Sequence, residues 1–524
     1  MCSPEMLPAE CGADPQVRRR PPSRLLCSFL LFTLTSTAAT LADAVKNGDR
    51  GAVRQLLARH AGVNAPGADG TTPLAWAVEA DDLETAKLLL HAGADAGKPN
   101  RYGVTPLWLA ATNRDAAMID ALLQAGANPN AALPGGQTVL MTAARTGNAE
   151  AVDLLLARGA DVHAREKTYG ETALMFAAAE NHAEAVKALV AHGAEVNARS
   201  AALEYPKDRF GLEGVVTILP HGSWTPLMYA ARQGARAAAA ALIDAGADLN
   251  LTDPDGTSAL VFAILNGHYD TAALLVEKGA NPNIADTAGM AALYAAVDMN
   301  TLGEIYGRPS RPSTSKLSAL GLMQALLAHG ANPNAQLKSP TLQRAHTPGE
   351  GTLGEGTTPL MRAAKNGDSA AIRLLLDHGA DVSIRQKNGA TALMFAAGLG
   401  RGVGVFAKDY GTEADLLEAA KVLVAHGADV NAISGAGQTA MHFAAQAADA
   451  NLPVPSDDMV RFLAAHGARL DVVDKKGRTP VDMALGKGLR GRAGGPVAPR
   501  LGTVALLKQL MAGRGAAVTA SRAQ

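Results

Sequence analysis

Short apolar segments recur along the chain at a nearly constant spacing, and the same polar pattern opens each of them. A glycine is followed by two residues, often threonines, and then by proline or alanine and an apolar residue, as in residues 70–74 and 356–360. A threonine in that place can cap the free amides of a first helical turn, and proline is tolerated next to it because its missing N–H would have no partner there. The pattern therefore predicts a short helix after each turn residue. These turn residues are Gly70, Gly103, Gly136, Gly170, Ser223, Gly256, Gly289, Gly356, Gly389, Gly437 and Gly477.

A second apolar segment begins later in each unit and ends in His-Gly-Ala-Asp or a close variant. Residues 88–95 and 374–381 are two examples. Gly93 and Gly379 in these segments suit the left-handed backbone conformation that closes a helix. Each unit therefore contains two short helices. Since neither helix could bury its apolar side alone, the units must stack on copies of themselves.

The spacing of about 33 residues and the recurring Thr-Pro-Leu segments resemble the ankyrin-repeat family. Residues 105–110, 172–177 and 225–230 follow the family signature, and residues 439–444 also keep its histidine, His442. The resemblance covers nearly all of the chain after its N-terminal segment. It implies an all-α repeat solenoid of helix-turn-helix units with hairpin fingers at their turns, and about twelve repeats within residues 41–515. It also implies protein binding as the function.

Longer gaps between some of the turn residues indicate insertions. A gap between two repeats places an insertion beside the fingers, whereas a gap inside a repeat places it on the opposite edge. Long aperiodic loops in a repeat array are usually functional or disordered, and both interpretations stay open here. We also expect a disordered tail at residues 516–524. The insertions are expected near residues 201–222, 302–317, 336–354, 399–412, 448–456 and 486–501.

Aromatic residues near the fingers identify a candidate binding edge. Tyr102 and Tyr169 precede turn glycines, and Trp224 directly follows a turn residue. Tyr205 and Phe210 belong to the first insertion, which either binds a partner or folds back to seal a kink in the solenoid. Exposed aromatic side chains are effective anchors in interfaces. We therefore expect these five residues to line one partner-binding edge.

Three basic residues extend this prediction to the concave side of the solenoid. Arg145, Arg232 and Lys365 each follow an Ala-Ala step near the end of a predicted first helix. We expect them to be exposed cations on the concave face. There they either contact the partner or are ordinary solvated side chains.

The first 39 residues have the organisation of a secretory signal peptide. Basic residues at 18–20 and Arg24 precede the apolar segment 25–34, and small residues follow it as far as Ala39. The apolar segment is too short to favour a permanent membrane span. We expect cleavage near Ala38 or Ala39 and export to the periplasm or the extracellular space. The alternative is a buried leader helix on a cytoplasmic protein.

The remaining composition gives no sign of catalysis, of a metal or of nucleic acid binding. The three cysteines, Cys2, Cys11 and Cys27, all precede the expected cleavage site, and the formal net charge of −1 comes without a basic stripe. No metal-binding or nucleophile motif occurs. We therefore expect no cofactor and no metal. Histidines that recur near helix-closing glycines are explained as helix-end residues, namely His91, His192, His329, His378, His426 and His466.

Two classes of function remain open. The favoured one is a monomeric, non-enzymatic, exported scaffold that binds a protein partner through the finger edge and the concave face. The alternative is a ligand-binding or hydrolytic protein whose site is built from the insertions. A cytoplasmic or host-directed ankyrin interaction protein is a third possibility if the leader is not a signal.

Overall fold

The chain forms an array of paired helices. The computed structural model describes residues 40–204, 221–301, 315–341, 352–400, 411–447, 457–489 and 497–522. Within these ranges there are 24 helices in twelve consecutive pairs, with isolated β-bridges but no sheet. The predicted all-α repeat array is therefore confirmed. The helices are α1 (Leu41–Lys46), α2 (Arg50–Ala58), α3 (Pro73–Glu79), α4 (Leu83–His91), α5 (Pro106–Asn113), α6 (Ala116–Gln124), α7 (Val139–Thr146), α8 (Ala149–Ala157), α9 (Ala173–Ala179), α10 (Ala183–Ala191), α11 (Pro226–Gln233), α12 (Arg236–Asp244), α13 (Ala259–Leu265), α14 (Tyr269–Glu277), α15 (Ala292–Thr301), α16 (Ala319–Ala328), α17 (Pro359–Asn366), α18 (Ser369–Asp377), α19 (Ala392–Ala396), α20 (Glu413–Ala425), α21 (Ala440–Ala445), α22 (Asp457–Ala465), α23 (Pro480–Ala484) and α24 (Leu501–Arg522).

The polar residues that open the first helices act as the sequence predicts. The hydroxyl of Thr72 accepts the N–H of Ala75 at 3.2 Å, and that of Thr358 accepts the N–H of Met361 at 3.3 Å. Proline occupies the first turn of α3, α5, α11, α17 and α23. A cap of this kind stabilises a helix by about 1 kcal/mol, which matters for helices of two turns. The recurring threonines therefore fix where each repeat begins.

The core lies between two layers of helices. The first helices of successive repeats pack side by side in one layer, which we call the first-helix layer, and the second helices pack in another. Leucines of both layers are fully buried between them, such as Leu174 in α9 and Leu189 in α10. Each repeat therefore buries its apolar side against its neighbours, as expected for a stacked array.

Asparagine side chains join neighbouring repeats at the ends of the second helices. Asn64 donates to the carbonyl of Gly93 at 3.2 Å and accepts the N–H of Asp95 at 2.7 Å. Asn130 makes the equivalent bonds with the next repeat, to Gly159 at 2.9 Å and from Asp161 at 2.7 Å. One side chain thus satisfies two backbone groups across the repeat boundary and fixes the register of adjacent repeats.

The helix bounds locate the segments that the sequence analysis treats as insertions. They fall between α10 and α11, α15 and α16, α16 and α17, α19 and α20, α21 and α22, and α23 and α24. The last helix, α24, extends to Arg522, and its residues 516–522 include three alanines, which favour helix. No helix in the described ranges is long and apolar enough to cross a membrane.

Candidate partner-binding surface

The turns before the first helices form fingers whose main chains are hydrogen-bonded tip to tip. The N–H of Arg101 donates to the carbonyl of Asp69 at 3.2 Å, and the N–H of Lys167 donates to that of Gly135 at 2.9 Å. The acceptor is always the residue before a turn glycine. These bonds align neighbouring fingers along one side of the array, which we call the finger edge. The same bond recurs from Thr287 to Asp255, from Lys387 to Glu355, from Gly435 to Asn388 and from Lys475 to Ala436.

Each finger takes the number of the repeat whose first helix follows it. Tyr102 therefore lies at the tip of the third finger, before α5, and Tyr169 at the tip of the fifth, before α9. Tyr102 is 68% exposed and Tyr169 is 50% exposed. The amide oxygen of Asn100 accepts the N–H of Tyr102 at 2.9 Å, and the carboxylate of Glu166 accepts the N–H of Tyr169. These bonds hold the backbone of both turns. The two rings are therefore presented to solvent by turns of fixed conformation.

Trp224 does not have the exposure that the sequence analysis expects. Its residue is only 7% exposed, and its ring packs edge-on against Tyr229 at 5.4 Å and against Phe262 at 5.0 Å between ring centroids. The guanidinium of Arg232 lies 5.3 Å from the centroid of the Trp224 ring. Trp224 therefore belongs to an aromatic cluster between repeats, and the expectation of an exposed anchor is wrong for this residue.

A carboxyl and a phenol lie beside this aromatic cluster. Burial raises the pKa of Glu171, and the nearby charge of Glu166 raises it further, while a hydrogen bond with Tyr229 partly opposes both effects. Burial also raises the pKa of Tyr229, as does the charge of Glu171. The Tyr229 hydroxyl therefore keeps its proton at neutral pH and acts as a donor. This pair holds the fifth finger against α11.

Arg145 and Arg232 are exposed, as the sequence predicts. Each is the seventh residue of its first helix, α7 and α11. The guanidinium of Arg232 lies over Trp224, as described above, and the carbonyl of Arg145 contacts the ring of His182 at 3.0 Å. Both side chains are thus available on the first-helix layer of the fourth and sixth repeats.

Lys365 has the same position in α17, but it is buried. Its residue is 1% exposed, and its amino group donates to the hydroxyl of Thr352 at 2.8 Å. Leu353, the next residue of that segment, is also buried, and the carbonyl of Thr352 accepts a bond from Gln386 at 3.2 Å. The last residues of the third insertion therefore pack beside Lys365. The expectation that Lys365 is an exposed cation is wrong.

Tyr205 and Phe210 lie outside the described residues, so their contribution to the edge stays a prediction. The described ends of their insertion come together, since the N–H of Leu203 donates to the carbonyl of His221 at 2.7 Å. The N–H of Ala201 donates to the carbonyl of Tyr169. The segment thus leaves and re-enters the array next to the fifth finger.

Sequence reasoning did not single out two other groups on this side of the molecule. Arg101 and Lys167 are exposed next to the finger tyrosines. Trp76, Phe176 and Tyr229 are half-buried aromatic residues, each at the fourth position of a first helix. The sequence contained a signal for both groups. The first group consists of basic residues close to tyrosines, and the second consists of aromatic residues that recur at the same position of the first helices.

The described part of the chain contains no group of three or more His, Cys, Asp or Glu residues that could hold a metal ion. The buried polar groups described above are satisfied mainly by helix caps, by finger turns and by neighbouring repeats. The arrangement offers an extended surface with aromatic and cationic side chains. Such a surface is suited to binding another macromolecule.

Comparisons with known proteins identify the repeats. A family profile described as ankyrin repeats (3 copies) matches residues 41–132, 132–200, 212–302 and 316–407. A second profile, described as ankyrin repeats (many copies), matches residues 416–452. A search of curated proteins finds no match to the chain. The profile matches cover more than half of the sequence and follow the helix pairs from α1 to α21.

Proposed function

The chain belongs to the ankyrin-repeat family, and we propose that it is a non-enzymatic scaffold that binds a protein partner through its finger edge and the exposed face of its first-helix layer. Members of this family are usually binding scaffolds. The observation that carries the proposal is the exposure of Tyr102 and Tyr169 on turns held by hydrogen bonds. A preformed surface of this kind loses little conformational freedom on binding.

We place the surface on the third to sixth repeats. Arg145 and Arg232 contribute from the first helices there, whereas Lys365 is excluded from the proposal because it is buried. Tyr205 and Phe210 remain part of the proposal, since the insertion that contains them begins beside Tyr169. Trp224 supports the surface from within and does not touch the partner.

Affinity capture with matched variants tests this function. The full chain, a Tyr102→Ala, Tyr169→Ala variant and a Lys87→Ala, Lys187→Ala control are used to capture proteins from extracts of the native cells. The control lysines are exposed on the second helices α4 and α10. We expect the wild type and the control to recover a specific protein, and the tyrosine variant to recover about tenfold less of it. Equal recovery by all three forms would contradict the proposed surface.

We also propose that the protein is exported, with residues 1–39 as its signal peptide. The basic, apolar and small-residue sections of that segment support this. Mass spectrometry of the chain purified from its native cells should find an N-terminus near residue 39 or 40. Replacing Leu30 and Leu31 by Arg should block processing. A chain that keeps residues 1–39 and stays in the cytoplasm would favour a cytoplasmic interaction protein instead.

A further inference from the structure

We propose that the fingers of the third to fifth repeats bind an extended, acidic segment of the partner protein. The surface consists of Arg101, Tyr102, Lys167 and Tyr169, and we call it the basic finger patch. This inference rests on the proposed scaffold function and adds the chemistry of the partner to it. Two observations carry it: cations without a direct carboxylate partner beside exposed tyrosines, and local carboxylates whose oxygens already accept hydrogen bonds within turns.

The cations of the patch have no carboxylate partner within the described ranges. Arg101 is exposed and makes no side-chain hydrogen bond or ion pair there, and the amino group of Lys167 donates to the carbonyl of Pro134 at 3.0 Å. Lys387 occupies the same finger position farther along the array, yet it pairs with the carboxylate of Glu355 at 2.6 Å. The basic finger patch thus differs from an otherwise equivalent finger pair because its cations make no direct ion pair in the described residues.

Two carboxylates on the neighbouring finger backbone, Glu166 and Asp69, are bound within their own fingers. Glu166 is buried, and it accepts the backbone N–H groups of Thr168 and Glu171 as well as that of Tyr169. Asp69, on the second finger, accepts both the N–H of Thr71 at 3.1 Å and its hydroxyl at 2.7 Å. Both carboxylates are therefore engaged in holding turns. The patch attracts negative charge from outside, and complementary charge is what aligns such a partner.

The finger ladder is interrupted at the same place. Pro134 stands two residues before Gly136, where other fingers supply the N–H for the preceding finger, and proline has none. In the described structure no hydrogen bond reaches the carbonyl of Tyr102, whereas that of Tyr169 accepts from Ala201. The ring of Pro134 packs against this fingertip, since a side-chain carbon built on Gly103 would meet its Cδ at 3.0 Å. The patch therefore offers its side chains, and not a main-chain edge, to a partner.

These features together favour a peptide over a nucleic acid. The rings of Tyr102 and Tyr169 offer apolar contact, and Arg101 and Lys167 take carboxylates. The two tyrosine fingers are two repeats apart, about 20 Å at ordinary helix spacing, which an extended segment of six or seven residues spans. A nucleic acid site draws its affinity from many cations along a phosphate backbone. The patch has only two, in a chain of net charge −1.

Selection from a random peptide library against the full chain tests the partner chemistry. We expect the selected peptides to be about twofold enriched in Asp and Glu over the unselected library, and their binding to weaken as salt increases. The best peptide is then labelled and titrated by fluorescence anisotropy. Its affinity should fall about tenfold in an Arg101→Glu, Lys167→Glu variant and less in Tyr102→Ala. Lys387→Glu, a single charge reversal of the same kind at an ion-paired finger, should leave the affinity unchanged.

Other outcomes would overturn the inference in distinguishable ways. Two outcomes would reject the acidic partner and leave the scaffold function in place. Either the selected peptides show no acidic enrichment, or Arg232→Glu reduces their affinity while the double charge reversal does not. A library that yields no binder would reject the peptide site, while the affinity capture described above would still decide on the scaffold. Oligouridine is titrated in parallel. If the chain bound oligouridine but no peptide, and the double charge reversal abolished that binding, the patch would be a nucleic acid site instead.

Discussion

The amino group of Lys365 lies 2.8 Å from the hydroxyl of Thr352, and this hydrogen bond joins α17 to the last residues of the third insertion. The same position carries exposed arginines in α7 and α11. Nearby, Arg362 of α17 pairs with Asp298 of α15, and both residues are buried. This part of the first-helix layer is thus structural, while the layer around Arg145 and Arg232 is open.

Replacing Lys365 by Ala should destabilise the protein by about 1–3 kcal/mol, because it removes a buried hydrogen-bonded side chain. Arg145→Ala, at the same helix position but exposed, should change the free energy of unfolding by no more than about 0.5 kcal/mol. Urea unfolding followed by circular dichroism measures both. Equal, small effects would mean that Lys365 is solvated after all.

Trp224→Ala should cost roughly 3–5 kcal/mol of stability, since the ring packs against Tyr229 and Phe262. The matched control is Tyr102→Ala, which removes an exposed ring and should be nearly neutral. Thermal and urea unfolding of both variants gives the comparison. A Trp224→Ala protein as stable as the wild type would contradict the buried role described here.

Trp224 also illustrates what the sequence could and could not predict. Helix starts, the pairing of helices and the number of repeats followed from the recurring turn and cap residues. The residue after the turn was misjudged because residue types at this position vary along the repeats. Thr71, Thr257 and Thr357 are buried there, but Val104 and Gln137 are only half-buried, so comparison of equivalent positions gives no single expectation.

The burial of Lys365 could not be predicted from the repeat pattern either. The equivalent positions in α7 and α11 are exposed, and what buries Lys365 packs in from an insertion that has no periodicity. A repeat pattern determines contacts between repeats, but it carries no information on where an aperiodic segment folds. The exposed finger tyrosines, in contrast, were predictable because turn tips are exposed in every unit.

Leu174→Ala should destabilise the array by about 2–5 kcal/mol and act locally. Leu174 is fully buried in α9, and each repeat is stabilised mainly by its immediate neighbours. Hydrogen exchange should show faster exchange in the fourth to sixth repeats than in the wild type, with α20 and α22 unchanged. A uniform increase along all twelve repeats would show that the array unfolds as one cooperative unit.

Stability should fall as the pH drops below about 6.5 because of His442. Burial lowers the pKa of His442 from its ordinary value of 6.5. Its Nδ1 accepts the N–H of Thr439 at 3.1 Å and its Nε2 contacts the carbonyl of Arg478 at 3.2 Å, so the neutral ring satisfies both neighbours. The unfolded chain takes up a proton below pH 6.5 that the folded chain resists. The stabilising contribution is therefore complete above that pH and is lost below it.

Urea unfolding at about pH 7.5 and 5.5 measures this effect. Between these pH values the free energy of unfolding should fall by up to about 1.4 kcal/mol more in the wild type than in His442→Gln, which is the value for one proton over one pH unit. His378→Gln serves as the control, since His378 is an exposed helix-end residue. The account of His442 fails if both variants keep the pH dependence of the wild type.

Site-specific photocrosslinking tests the binding surface most directly. A photoreactive amino acid replaces Tyr102, Tyr169 or, as the control, the exposed Lys187 on the second helix α10, and the full chain is irradiated in its native cells. We predict that positions 102 and 169 crosslink to one and the same protein and that position 187 does not give this product. No protein crosslinked at the fingers, or the same product from all three positions, would contradict the claim that the finger edge holds a protein partner.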